Sequence, residues 1–380
     1  MRIPVTLALV GSFALAGTVL GQTARMDSQD ALNVARSTAV DRARNGYLAD
    51  ALASSKNAVH LAEERLGPTH PSLCPYLLDN AALERTLGLY EEAEGSLQWC
   101  LALLQRNRRL EDPLYPQTLF SLCALYLDQG RPADALYWGQ KGLEALEDAK
   151  GTGHDIQKIQ GLELLAEAKK DLNDPTGALT LLVKARGLCG RLSPSDPKLE
   201  IGLLTALSRA QTLLKRFPEA QGSLEKALEL ARKLPEGSIE LADTLESQGR
   251  LWEIRGAQEK ARASYEAALS LYQKFVGSFF GYSILDYARK LERAYLSLGR
   301  FKEAEEIGNR TLKTCQDSYG TDNPRLALAL MDLARAQKGA KEDKEAGDNV
   351  TEALRILRAK LQPGAPLVRE AEDLSRSMGR

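Results

Sequence analysis

An all-α solenoid, a one-dimensional stack of helical hairpins, is the fold class this chain predicts, and three observations predict it. The turn Leu87-Gly88-Leu89-Tyr90-Glu91-Glu92-Ala93 recurs as Gly130-Arg131-Pro132-Ala133-Asp134-Ala135, Lys215-Arg216-Phe217-Pro218-Glu219-Ala220 and Gly299-Arg300-Phe301-Lys302-Glu303-Ala304. Weaker copies end at Ala51, Ala178, Ala261 and Ala346, so the signature alanines stand 41 to 43 residues apart. A steady period of roughly 20–50 residues marks stacked repeats. Leu and Ala dominate, and no stretch alternates apolar and polar residues as a half-buried strand would.

Length and charge agree with such an array. The 380 residues are many for one compact core, yet no linker divides them after the first few dozen. A stack grows in one dimension and needs no single large core. Fifty basic residues against fifty-one acidic ones leave no global field, so no attraction to nucleic acid or anionic lipid is expected.

Residues 1–21 differ from the rest of the chain. Arg2 supplies a positive start, residues 5–10 and 13–16 an apolar core, and Val19-Leu20-Gly21 a small-residue cleavage frame. This is the pattern of a secretory signal peptide. As a retained anchor, residues 3–20 would be at the short limit of ~17–25 for a span, weakened by Pro4, Gly11 and Gly17. The expectation is an exported protein, periplasmic or extracellular, membrane-anchored if the segment is uncleaved and without a membrane span once it is removed.

Within each repeat two apolar-periodic segments flank the turn. In the second copy Leu77, Leu78, Ala81, Leu83 and Leu87 mark one face of the first helix. Gly88 ends it, being tolerant of positive φ. The second, longer helix turns Ala93, Leu97, Cys100 and Leu101 inward. Seven residues after each signature alanine stands another small side chain: Ala58, Cys100, Gly142, Ala185, Ala227, Ala268, Thr311 and Ala353. Small pairs two turns apart let helix backbones approach closely. Links such as Gly67-Pro68-Thr69-His70-Pro71 and Ser193-Pro194-Ser195-Asp196-Pro197 stop one helix and start the next. The first copy opens with a helix over residues 31–44. After the eighth, residues 365–378, within a tail of 364–380, form a charged capping helix that covers the last apolar face.

The Gly-x-Tyr-x-x-Ala turns, the paired small residues and first-helix aromatics such as Tyr126, Trp252 and Tyr295 resemble tetratricopeptide repeats. The 42-residue period and the Gly-Pro-x-His-Pro loop are similar to the kinesin-light-chain variety. The resemblance covers residues 27–360 and implies a right-handed superhelix of about eight repeats. It further implies a non-catalytic scaffold holding a protein or peptide in a concave groove lined by first helices. No kinesin role follows, since an exported chain without a heptad coiled coil departs from that protein.

No motif in the chain points to catalytic chemistry. His60, His70 and His154 include no pair at i, i+3 or i, i+4, and there is no nucleophile elbow, phosphate loop or HExxH. No catalytic residue, metal ligand or cofactor is expected, and His70 reads as part of a turn. Five cysteines form no CxxC or metal pattern, and Cys100 and Cys123 read as small core residues, a bridge between them being a minor alternative.

The concave face is more informative. The residue after the small packing position of each first helix should point into the groove: Val40, Ala82, Ala124, Glu167, Arg209, Arg250, Arg293 and Arg335. Four successive arginines make a ladder, thickened by Arg289. Planar guanidinium forks suit carboxylates, so an acidic protein or peptide partner is one reading. The other is an internal network with Asp243, Glu246, Glu253 and Asp286, in which only Arg293 and Arg335 lack an obvious local acid. On the ligand reading, reversing those two to Glu removes partner binding and leaves thermal stability unchanged.

Two anomalies sit in the seventh repeat. Glu292 stands where other copies have a small residue, so the repeat is distorted there or supplies a cation. Phe279, Phe280 and Tyr282 replace a proline loop and either fill a seam between repeats or form an interface patch. The leading function is thus an exported, monomeric, non-catalytic interaction scaffold. The alternative is an assembly subunit or spacer that self-associates through its ends or this aromatic loop.

Overall fold

A computed structural model of the chain describes residues 28–147, 152–235, 238–276 and 283–378. Eight helical hairpins follow one another: α1 (Ser28–Arg44) with α2 (Leu48–Leu66), α3 (Cys74–Thr86) with α4 (Tyr90–Arg106), α5 (Leu114–Asp128) with α6 (Pro132–Ala145), and α7 (Thr152–Asp171) with α8 (Pro175–Cys189). Then come α9 (Pro197–Leu213) with α10 (Phe217–Ala231), α11 (Ile239–Ile254) with α12 (Gln258–Val276), α13 (Ser283–Ser297) with α14 (Phe301–Tyr319), and α15 (Pro324–Gly339) with α16 (Asp343–Lys360). A last helix, α17 (Pro366–Arg376), packs on α16. Among the described residues there is no strand, and the all-α repeat solenoid is the fold. The segments of residues 1–21 and of Phe279, Phe280 and Tyr282 lie outside the described residues.

One backbone device builds all eight hairpins. The fifth residue before each signature alanine has positive φ: Gly46, Gly88, Gly130, Asn173, Lys215, Gly256, Gly299 and Lys341. The following residue donates its N–H to a carbonyl five positions back, as Leu89 does to Glu84 and Arg216 to Gln211. This is the Schellman closure of a helix, which the left-handed residue makes geometrically possible. Asn173 and the two lysines adopt the left-handed region without being glycine, which costs roughly 1–2 kcal/mol each. The tertiary stack holds them there. Second helices are not uniformly the longer ones: α7 has 20 residues and α8 15, because Gly190 ends α8 and Pro194 follows closely.

The small residues do the packing expected of them. Every signature alanine is buried, as is each partner seven residues on. Large and small then alternate across the hairpin. A side chain at Gly249 would collide with Tyr265, one at Gly139 with Leu165 and Cys123, and Phe120 fills the space left by both Gly142 and Gly161. Added atoms at such places force off-rotamer shifts costing ~1–3 kcal/mol.

The chain end comes back onto its beginning, which no local pattern announces. Asn323 donates from Nδ2 to the Thr86 carbonyl across 237 positions at 3.0 Å. Its Oδ1 accepts the Arg325 N–H and caps α15. A Cβ on Gly88 would lie 3.2 Å from the Pro324 ring. The Gln362 N–H donates to the Gln129 carbonyl, and α14 packs against α2. Leu48, Leu83, Leu87 and Tyr90 therefore share a core with Leu285, Tyr319 and Leu326. Superhelical winding has closed a seam between repeats one to three and repeats seven and eight.

Candidate functional site: the inner wall of the solenoid

First helices line the inner wall because the second helices turn their polar faces outward. Two cavities open there. One lies at the seam, bounded by Arg85, Tyr90, Asp128, Asp286, Arg289 and Arg325. The other, a solvent-open space of about 1210 Å³, spans repeats four to seven. Its wall holds Glu167, Arg209, Asp243, Glu246, Arg250 and Arg293, beside the apolar Leu213 and Ile254. Arg209, Arg250 and Arg293 thus share one cavity, while Arg289 faces the seam and Arg335 lines neither.

The arginines of the ladder meet different fates. Asp332 on α15, only 1 % exposed, sits among three of them. Arg289 donates to it from Nη2 at 2.7 Å and Nε at 3.0 Å, Arg335 from Nη1 at 2.7 Å, and Arg293 approaches at 3.5 Å. Arg335 also donates to Glu370 on α17 at 2.8 Å. The expectation that Arg293 and Arg335 lack a local acid is therefore corrected. Asp332 lies three positions before Arg335 on the same helix, where i, i+3 side chains meet. Burial alone would raise the Asp332 pKa, but Arg293, Arg289 and Arg335 together hold it well below the usual carboxylate range.

Arg209 is the contrast. Its Nε is shut off from solvent and has no hydrogen-bond partner. Burial lowers the pKa of its guanidinium, opposed at longer range by Glu246, Glu167 and Asp243. Two of those acids are engaged elsewhere: Lys170 donates to Glu167, and Asp243 accepts from Lys290 and from the Tyr272 hydroxyl at 2.7 Å each. Ser247, 5 % exposed, lines the same cavity with its hydroxyl equally unpartnered. Neither Asp332 nor Ser247 stood out in the sequence. For Asp332 the signal was present in its spacing from Arg335; for Ser247 there was none.

Glu292 is accommodated by a device the sequence reading did not name, the space left by a glycine on the next helix. It is fully buried, and its carboxyl points at Gly308 on α14, where an added Cβ would lie 2.4 Å from Oε1. No group hydrogen-bonds to it. Burial and the neighbouring Asp332 push its pKa well above the ordinary carboxylate range, against the pull of Arg289, Arg293 and Arg335. The missing volume of Gly308 makes room, and the arginines sit nearby without closing on it.

The remaining candidates fall into structural places. His70 accepts the Ser72 N–H on Nδ1 and caps a short 3₁₀ turn. All five cysteines are buried and free; Cys100 touches Cys74 and Thr118, while Cys123 packs at Gly139. Among the described residues no cluster of three His, Cys, Asp or Glu side chains is placed to hold a metal ion, and no helix is long and apolar enough to cross a membrane.

Comparison with known proteins agrees with this architecture. A family model described as tetratricopeptide repeat matches residues 293–359. Among solved structures, apo RapI aligns over 92 % of this chain and 97 % of its own at 11 % identity and a TM-score of 0.51. BtubC (BKLC) from P. vanneervenii aligns over 62 % of this chain and 93 % of its own at 21 % identity and a TM-score of 0.41. A putative kinesin light chain of Podosopora anserina covers 53 % of this chain and 96 % of its own, at 19 % identity and a TM-score of 0.38. No curated protein sequence matches. A left-handed turn, a buried alanine and a small partner repeat in all eight hairpins, and the stretch over residues 293–359 matches the tetratricopeptide-repeat family, to whose repeats the whole array is similar.

Proposed function

We propose that this protein is an exported, non-catalytic scaffold that holds an acidic protein or peptide segment against its inner wall. The tetratricopeptide fold itself is one of protein–protein interaction. The observation that carries the finer reading is the cavity spanning repeats four to seven. Five cationic side chains line it (Lys170, Arg209, Arg250, Lys290 and Arg293) against Glu167, Asp243 and Glu246. The net positive wall, with Leu213 and Ile254 exposed beside it, suits an extended chain bearing carboxylates and aliphatic groups.

A monomer fits the same picture, because the faces that a head-to-tail spacer would use are partly consumed by the seam between α15 and the α3–α4 turn. Sedimentation at high concentration tests this: a mass near 41.6 kDa, less any removed leader, supports it, and a concentration-dependent oligomer refutes it. Export is tested by cell fractionation with N-terminal sequencing of the mature chain. For partner capture, a photo-crosslinking residue at Leu213 or Ile254 should label a discrete partner in the native compartment. The same group at the outward-facing Glu266 serves as control; equal labelling from both positions rejects the groove.

A further inference from the structure

Cys74 and Cys100 meet inside the second hairpin, and no part of the scaffold reading uses them. Cys74 opens α3 and Cys100 stands in the second half of α4, so the antiparallel hairpin brings the two together. Each sulfur lies against the other residue's backbone: Cys74 Sγ is 3.5 Å from the Cys100 carbonyl oxygen, and Cys100 Sγ is 4.0 Å from that of Cys74. Both side chains therefore point into one gap. The thiols also hydrogen-bond to each other, which draws the Cys74 thiol below its ordinary pKa and pushes that of Cys100 up. Cys123 turns toward Gly139 on α6 instead, while Cys189 and Cys315 belong to separate cores. The Cys100–Cys123 bridge that the spacing allows is thus replaced by a different pair.

We infer that Cys74 and Cys100 form a disulfide that staples the second hairpin, closed by a thiol-oxidising disulfide of the compartment in which the chain folds. Both residues are 0 % exposed in the finished stack, and part of that cover is α5, whose Thr118 Oγ1 lies 3.2 Å from Cys100 Sγ. The bond therefore closes on the hairpin before α5 docks. One cysteine thiolate attacks the oxidant's disulfide and releases one oxidant thiol; the second cysteine attacks that mixed disulfide and releases the other. Two S–H bonds are lost, one S–S bond forms, and the oxidant's S–S bond becomes two thiols. Oxidation strands no buried donor. Thr118 already donates its proton to the Leu114 carbonyl at 2.7 Å, so toward Cys100 it only accepts. The closed loop contains Thr86 and Gly88, which meet Asn323 and Pro324, so the staple fixes the hairpin on which α15 closes. The export reading enters only in supplying the oxidant.

Refolding the denatured, reduced full chain in a mixture of reduced and oxidised glutathione tests this, followed by alkylation under denaturing conditions and peptide mapping by mass spectrometry. The expected product is one linked peptide pair, two hydrogens lighter than its parts, joining Cys74 to Cys100. Cys123, Cys189 and Cys315 should all be alkylated. Dithiothreitol should lower the urea midpoint of that product and leave the midpoint of a Cys74→Ala, Cys100→Ala double variant unmoved.

Five alkylated cysteines after such refolding, or a link from Cys100 to Cys123, would overturn the staple. Should the double variant fail to fold by circular dichroism, the peptide map of the unaltered chain decides alone. None of these readouts passes through the location of the protein, so a failure of export, seen by cell fractionation, is told apart from a failure of the pair.

Discussion

Arg209 and Arg335 occupy the same register of their repeats, yet the two regions use the residue in opposite ways. In the C-terminal repeats Asp332 gathers Arg289, Arg293 and Arg335 into one buried ionic knot, which Glu370 of α17 extends. In the middle repeats Arg209 faces acids that are mostly committed elsewhere. The lesson is that register places a side chain on the inner wall but the neighbouring helix decides whether it is structural. An arginine is available to a partner only where the fold has not already supplied its counter-ion.

The largest effect expected from breaking this contrast is at Asp332. Asp332→Ala leaves three arginines facing each other without their buried anion and should cost roughly 3–5 kcal/mol in chemical denaturation. Because its folded pKa is depressed, its contribution is present above the unfolded value near ~3.9 and is lost as pH falls below it. Reversing Arg293 and Arg335 to Glu comes next. The change sets carboxylates against Asp332, so it should lower stability by about 2–4 kcal/mol, where the ligand reading of the bare sequence expects no loss. A double reversal that melts like the wild type would show that Asp332 does not hold these arginines in solution.

Asn323→Asp probes the seam that keeps the C-terminal region in place. The aspartate retains the acceptor that caps α15 but loses the donor to the Thr86 carbonyl, at a cost of about 1–3 kcal/mol. Small-angle scattering should report a larger radius of gyration, and an unchanged radius would show that this bond does not secure the closure. Glu292 supplies a pH test of opposite sign to Asp332. The unfolded chain ionises this residue above a pH of ~4.3, whereas the folded chain keeps the proton, so the folded state binds more protons and stability falls as pH rises. Glu292→Gln should flatten that decline, measured as denaturation midpoints between acid and neutral pH. The smallest effect is expected at Arg209: Arg209→Met should be neutral or stabilising by up to ~1 kcal/mol, since no pair is broken and a buried cation is removed.

Much of this contrast was legible in the letters, though unevenly. The eight turns were readable because a left-handed closure five residues before a buried alanine leaves a strict local grammar. Even Asn173, Lys215 and Lys341 could be placed, by register alone. The pairing of Arg289 with Asp332 also has a local counterpart: Arg36 donates to Asp79 at 2.7 Å, the same 43-residue step at the same register in the first two repeats. Glu292 was recognisable as an oddity, and its complement Gly308 stood four residues after a signature alanine. What gave no signal was Ser247, an ordinary small polar residue whose meaning comes only from the wall around it.

The sequence by itself determined the hairpin, its period and which positions face inward, because these depend on contacts between residues close along the chain or one repeat apart. The tertiary structure alone decided that the eighth repeat returns to the second, and thereby which arginines are locked and which line the cavity. The physical reason is accumulation. Each repeat adds a small rotation set by side-chain packing at its interface, and the seam depends on the sum over the whole stack rather than on any residue in it.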